Sequence, residues 1–293
     1  MLRLVKFITI TIIFHIFFQA DIQAYAEDRY LLRLSDRRVV RYEEMMKEVR
    51  NSKLIFIGEY HDNELHHRLQ LDIIRDLNDS NIPIVVGLEM FTSKSQNDLD
   101  LWIKGDLKIY DFIKVYYKDW NVPWSFYTDI FVYLRDNGIP VIGLNAPKDI
   151  LQKVNEVGFS SLTKKELEDF PAGITCSVDK RYMDFIKRVY TAHGRSDREF
   201  VNFCEALLLR DKTMAQYLAE YIRKNPEKSV VVLAGSDHAW KKGIPEQILA
   251  LMKNLDYRVI LPGISGYIDP DSVGSEHADY ILMSNSPNLE AKR

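Results

Sequence analysis

The sequence predicts an α/β protein: a mainly parallel β-sheet core with flanking helices, plus a smaller helical lobe. Three observations carry that prediction. The runs Leu54-Ile55-Phe56-Ile57 and Val230-Val231-Val232-Leu233-Ala234 are continuously apolar and rich in β-branched residues, the pattern of strands covered on both faces. Between such runs the apolar residues switch to helical spacing, as βαβ units require. From about 148 to 226 no strand pattern occurs, which sets that stretch apart as the lobe.

Residues 1–26 read as a secretory signal peptide, with Arg3 and Lys6, an apolar stretch from Phe7 to Phe18, and Ala24-Tyr25-Ala26 as the cleavage site. The apolar core is about twelve residues, short of the about 20 that a membrane span needs. No cysteine lies near the cleavage point, so there is no lipobox and no lipid anchor is expected. A periplasmic or secreted protein of residues 27–293 follows, as one domain. Loss of Arg3, Lys6 and Asp21 leaves 37 basic against 41 acidic side chains, a balance that offers nothing to nucleic acid.

Within the mature chain a helix is predicted over 42–49, then strand 54–57. Helix 63–78 follows, with Leu65, Leu69, Ile73 and Leu77 at i+4 spacing and Asp62 or Asn63 placed to cap it. Ile82-Pro83 introduces strand 84–88. A helix begins near Ser95, an aromatic-rich segment runs from Tyr116 to Trp120, and a helix covers 127–137. Gly138-Ile139-Pro140 resets the chain into strand 140–144. In the lobe, Thr163-x-x-Glu166 and Ser196-x-x-Glu199 read as capping boxes. The second opens a long helix whose apolar face is Phe200, Phe203, Leu207, Leu208, Met214, Leu218 and Ile222, ending at Asn225-Pro226. Strand 230–234, helix 248–254 and strands 258–261 and 280–283 complete the series.

Two copies of one pattern, Gly58-Glu59-Tyr60-His61 and Gly235-Ser236-Asp237-His238, follow the two buried strands, 177 positions apart. Glycine suits such turns because it permits positive φ or close backbone approach. Ligands of open parallel sheets bind beyond the carboxyl ends of the strands. Glu59, His61, Glu89, Asn145, Asp237 and His238 all leave such ends, from four strands, and are expected to share one pocket. Two readings stand. His61, His238, Glu59 and Glu89 hold a divalent metal ion (manganese, cobalt or zinc), or the carboxylates cap neighbouring helices. His66 is placed to line the cleft, and His67 to face Leu71 and Ile74.

The segments Ile57-Gly58-Glu59-Tyr60-His61-Asp62-Asn63-Glu64-Leu65-His66-His67-Arg68-Leu69-Gln70, Gly87-Leu88-Glu89-Met90-Phe91, Gly143-Leu144-Asn145-Ala146-Pro147, Asp211-Lys212-Thr213-Met214-Ala215 and Leu233-Ala234-Gly235-Ser236-Asp237-His238 resemble the ChaN-like haem-binding family over roughly residues 50–265. The resemblance implies an exported haem-binding protein serving haem or iron uptake beside an envelope transport component, and able to form a homodimer that encloses haem. It also places Asp211 in the pocket. It implies a tyrosine on haem iron, with histidine and lysine contacts to the propionates. Phenolate is a hard anionic donor suited to ferric iron. Tyr182, Tyr190 and His193 are the candidates on the lobe, with Lys187 and Arg188 to meet carboxylates. The family is similar in turn to Tiki proteases and erythromycin esterases, which implies the alternative of a metal-dependent hydrolase with Glu59 or Glu89 as general base. Cys204 stands where that resemblance would put an aromatic residue. Cys176 and Cys204 are compatible with a disulfide or with two thiols.

Overall fold

The computed structural model describes residues 30–189, 196–263 and 273–283; the expected signal peptide, Tyr190 and His193 lie outside them. Among the described residues eight strands form: β1 (Tyr30–Arg33), β2 (Arg38–Arg41), β3 (Leu54–Glu59), β4 (Ile84–Thr92), β5 (Val141–Asn145), β6 (Ser229–Gly235), β7 (Tyr257–Pro262) and β8 (Tyr280–Leu282). The chain divides into two compact units, one of Ser52–Leu261 and one made of the segments on either side of it.

In the flanking unit β1 pairs antiparallel with both β2 and β8, and the helix Tyr42–Val49 buries Tyr42, Met45, Met46 and Val49. The helix starts and stops where its periodicity predicts. The ribbon of β1 and β2 has no sequence signal of its own: each strand is four residues long, and arginines stand at the ends of β2. Cross-strand pairing, not local pattern, makes them strands.

The larger unit is the predicted α/β body. Its strands run in the order β7-β3-β6-β4-β5, and every pairing among them is parallel. β3 has no exposed residue, in keeping with its unbroken apolar run. The chain leaves β3, builds β4 two places away and β5 beyond it, and returns after the helical stretch to insert β6 between β3 and β4. That insertion sets Glu59 opposite Gly235 in the β3–β6 register.

Most helices follow local signals, although the one expected over 248–254 runs instead from Ile244 to Leu251, with Pro245 in its first turn. Asn63 caps the helix Glu64–Asp79 by accepting from Leu65 N at 3.0 Å and His66 N at 3.4 Å. Both capping boxes of the lobe form, opening the helices Lys164–Leu167 and Asp197–Lys224. Between 148 and 226 the described residues contain helices and no strand. On Asp197–Lys224 the predicted face holds for Leu208, Met214, Leu218 and Ile222, which are buried, while Phe200, Phe203 and Leu207 are only half-buried. Asn202 and Cys204 are buried in their place. Cys176 and Cys204 are both thiols; Cys176 donates to Glu205 O at 3.3 Å, and burial pushes it up to about 12. No helix among the described residues is long and apolar enough to cross a membrane.

Candidate functional site: two imidazole–carboxylate pairs at the strand ends

β3 extends two residues beyond its apolar run, so Glu59 is its last residue, 2% exposed, and His61 follows in the turn. The Glu59 carboxylate is engaged from every side. Oε1 accepts from His61 Nδ1 at 2.7 Å and from the Tyr127 hydroxyl. Oε2 accepts from Gln70 Nε2 at 2.7 Å, and His67 Nε2 stands 3.3 Å away without the alignment of a hydrogen bond. Burial alone would raise the proton affinity of Glu59, but the hydrogen bond from His61 and the closeness of the His67 imidazole outweigh it and hold the carboxyl well below its usual range. Burial lowers His61 and the Glu59 hydrogen bond raises it, aided by Glu89 and Asp237, for a net upward shift.

The second pair lies beyond β6. Ser236–Ala239 forms a single helical turn that buries His238, and Nδ1 of His238 meets Asp211 Oδ1 at 2.6 Å. Asp211 comes from the middle of Asp197–Lys224, so the long helix completes a site begun on the sheet. Arg210, its neighbour, puts Nη1 3.3 Å from His238 Nε2. Guanidinium only donates, so that contact uses the Nε2 lone pair and leaves the imidazole proton on Nδ1. For His238, burial pulls downward, Glu89 and Asp211 push upward and Arg210 opposes them, with a net rise; Asp211 is pushed up by its own burial.

Glu89, 1% exposed in β4, stands between the pairs. Its Oε2 accepts from Gly235 N at 2.7 Å, while Oε1 lies 3.6 Å from His238 Nε2 and 3.7 Å from Arg210 Nη1. Those last distances suit a bridging water better than direct bonds. A Cβ on Gly235 would sit 3.1 Å from His61 Cε1 and 3.6 Å from Glu89 Oε2, so the His61 ring approaches Glu89 across this glycine. Close approach, not positive φ, is what Gly235 supplies, since its φ is −54°.

Of the six residues expected in one pocket, Glu59, His61, Glu89 and His238 meet. Asn145 supports them: Nδ2 donates to Glu89 O at 2.8 Å. Asp237 is exposed. His66 is buried and its Nδ1 accepts from Tyr60 N at 3.0 Å, which fixes the turn leading to His61. His67 packs on the rings of Phe126 and Tyr127 at 5.9 and 4.3 Å, close to Glu59. Tyr127, Gln70, His67 and Arg210 had no signal as a group. Gln70 sits one turn after His66, and only the paired Arg210-Asp211 hinted at a polar spot on an apolar helix. The aromatic-rich segment forms the helix Ile109–Asp119, whose Asp119 accepts from Ser95 Oγ at 2.6 Å and Thr92 N at 3.2 Å. That tie to the end of β4 sets the edge of Trp120 against His61, ring centroids 4.9 Å apart.

Among the described residues no group of three or more His, Cys, Asp or Glu side chains is arranged to hold a metal ion. In the expected ligand set His61, His238, Glu59 and Glu89, the Glu59 carboxylate is engaged by protein donors: its oxygens already accept from His61, Tyr127 and Gln70. Of the haem candidates, Tyr182, Lys187 and Arg188 lie on the helix Lys180–Val189; Tyr182 is half-buried, and exposed Lys187 has its Nζ 6.0 Å from the Phe200 ring centre.

His66 gives a test of this packing. Burial, followed by the charge of His67, pushes it down to about 4 from 6.5. The folded protein therefore binds fewer protons than the unfolded chain between pH 4 and 6.5. This contribution is complete above pH 6.5 and is lost as pH falls through that window. Melting temperature is expected to climb from pH 4.5 to 6.5, and His66→Asn, which keeps an acceptor for Tyr60 N, to flatten the climb. Parallel wild-type and variant curves would refute the assignment.

A parallel sheet whose carboxyl edge gathers buried acids, imidazoles and an arginine defines an α/β protein with a polar cluster at that edge. Residues 45–248 match the family described as haem-binding uptake, Tiki superfamily, ChaN, and the chain belongs to that family. A solved structure described as cofacial heme binding to ChaN of Campylobacter jejuni shares 23% identity, covers 87% of this chain and 96% of its own, and superposes with a TM-score of 0.68. It shows the same fold. The erythromycin esterase EreC, in a mutant open conformation, is 15% identical over 83% of this chain and 78% of its own, TM-score 0.48. RETICULATA-RELATED 5, a chloroplastic protein of Arabidopsis thaliana, is 24% identical over 215 residues, 64% of this chain. The chain spans only 27% of that relative's length.

Proposed function

We propose that this is an exported haem-binding protein serving haem or iron acquisition, holding haem iron through a tyrosine of the helical lobe at an interface between two copies. The family match over 45–248 is the observation that carries the reading. The donor chemistry of the lobe suits the ligand. The helix Lys180–Val189 combines a half-buried Tyr182 and Met183 and a buried Ile186 with exposed Lys187. An aromatic and apolar flank suits the macrocycle, a phenolate suits ferric iron, and a cation suits the propionates. Tyr190, His193 and Arg188 extend the same stretch of sequence. Export rests on residues 1–26, and it makes an envelope transport component the natural partner.

Titration of the mature protein with hemin is expected to shift and sharpen the Soret band to a saturating stoichiometry, with the mass in solution doubling as haem fills. Tyr182→Phe, Tyr190→Phe and His193→Ala, tested singly, locate the iron ligand as the variant whose spectrum departs most. A Soret band indistinguishable from hemin alone at micromolar protein removes the reading.

A hydrolase working at the strand ends is the second reading, favoured by the two imidazoles, His61 and His238, that buried carboxylates hold at Nδ1. Stoichiometric manganese, cobalt or zinc, lost in the His61→Ala, His238→Ala double variant, would make it metal-dependent.

A further inference from the structure

We propose that the helix Ile109–Asp119 docks the protein on a bilayer of anionic phospholipid, lying along the headgroups. This goes beyond both readings above and depends on neither. Three features of the helix support it.

The first is what the helix leaves uncovered. It packs inward through Phe112 and Tyr116, both wholly buried. At 3.6 residues per turn, Tyr110, Ile113 and Tyr117 fall within about 60° of one another on the outer side. Tyr110 is 78% exposed, Tyr117 is 50% exposed and Ile113 is half-buried, while Ile109 extends the same flank at 37%. Single apolar residues on a surface are ordinary, whereas a contiguous flank marks an interaction face. Among the described residues eight large apolar or aromatic side chains are exposed, and three of them stand on this one helix, so the exposure is concentrated.

The second is the kind of side chain. The Tyr117 hydroxyl accepts from Trp124 N at 3.0 Å, which holds the following loop against the helix and adds exposed Pro123 and half-buried Trp124 to the face. Tyrosine and tryptophan, apolar in the ring and polar at one end, suit the headgroup layer of a bilayer.

The third is charge. Residues 104–118 carry four lysines, all exposed, against Asp106 and Asp111, and Asp111 is paired with Lys114 at 2.8 Å. The next acid, Asp119, is turned to Ser95 and Thr92. The chain has 39 basic against 42 acidic side chains, and without this stretch the balance is 35 against 40, so a basic patch stands on an acidic protein. Such a patch turns the molecule toward an anionic surface. Lys114 and Lys118 border the aromatic flank, where their stems can follow the rings down while the ammonium groups meet phosphate. The same lysines disfavour a second copy as the occupant, because two-fold pairing of this flank sets like charges against each other.

Trp120, directly after the helix, packs edge-on against His61, ring centroids 4.9 Å apart. Docking therefore brings the strand-end cluster beside the lipid.

The test mixes the mature chain with vesicles of phosphatidylglycerol and phosphatidylcholine in equal parts, and with vesicles of phosphatidylcholine alone, and reads co-sedimentation. Binding is expected on the mixed vesicles only, and it should weaken as salt is raised. The double variant Lys114→Gln, Lys118→Gln should bind about 30-fold more weakly, about fivefold for each lysine, and Tyr110→Ser about fivefold more weakly. Val157→Ser, which alters a 47% exposed residue on the helix Lys148–Val157, should bind as the parent does. The substituted side chains are exposed, and near-ultraviolet circular dichroism checks that each variant is folded. Absence of binding to the mixed vesicles, equal binding to both kinds, or binding that Tyr110→Ser and the lysine variant leave unchanged would overturn the proposal. A dimer formed without lipid and dissociated by Tyr110→Ser would assign the face to a second copy and overturn it as well.

Discussion

Replacement of Glu59 by alanine is expected to lower the melting temperature by roughly 6–20 °C, the largest stability effect foreseen for a single residue at this site. The argument is one of orphaned partners. Glu59 is 2% exposed and accepts from His61 Nδ1 at 2.7 Å, from Gln70 Nε2 at 2.7 Å and from the Tyr127 hydroxyl. Tyr127 is wholly buried, and burial followed by the Glu59 charge drives its hydroxyl far above the ordinary range, so it stays a donor. Alanine leaves these donors facing a cavity. Removing one partner of a buried charge network costs about 3–5 kcal/mol, and in a unit of this size each kcal/mol moves the midpoint by about 2–4 °C. Glu59→Gln keeps the volume but turns an amide N–H₂ toward a donor, so an intermediate loss is expected. Differential scanning calorimetry decides it. A Glu59→Ala protein melting within 2 °C of the parent would mean that the network contributes nothing to stability.

Gly243→Ala should cost about 3 kcal/mol, lowering the midpoint by roughly 6–12 °C. A Cβ at Gly243 would lie 2.2 Å from His238 O and 2.8 Å from the carbonyl carbon behind it. Both are backbone atoms, so no side-chain rotation relieves the clash. The peptide of His238 must move, and with it the 2.6 Å contact to Asp211. Gly105→Ala is the control: φ there is +79° and no atom lies within 4 Å of the new carbon, so only left-handed strain of about 1–2 kcal/mol applies. Thermal melts of the two variants should therefore differ by several degrees. Equal losses would show that close approach at His238 is not what Gly243 provides.

What was legible in the chain was legible locally. Unbroken β-branched runs mark β3 and β6, and side-chain caps mark where helices begin at Asn63, Thr163 and Ser196. Repeated Gly-x-x-His patterns placed Glu59, His61 and His238 at strand ends, where they stand. Each signal spans a few residues and depends on the backbone preference or capping chemistry of those residues. The four-residue strands β1 and β2 were not legible, since pairing defines them.

The sequence by itself determined the class of fold, the edge of the sheet on which chemistry collects and the family to which the chain belongs. Only the tertiary structure decided how that edge is wired. Inserting β6 between β3 and β4 put Gly235 between Glu59 and Glu89, and a helix some 140 residues beyond His67 delivered Arg210 and Asp211 to His238. Packing alone brought Tyr127, one of 16 tyrosines, to Glu59. Spacing along a chain reports which face of an element a residue shares. Which distant element will meet that face is settled by burial and by hydrogen bonds that exist only once the chain has closed on itself.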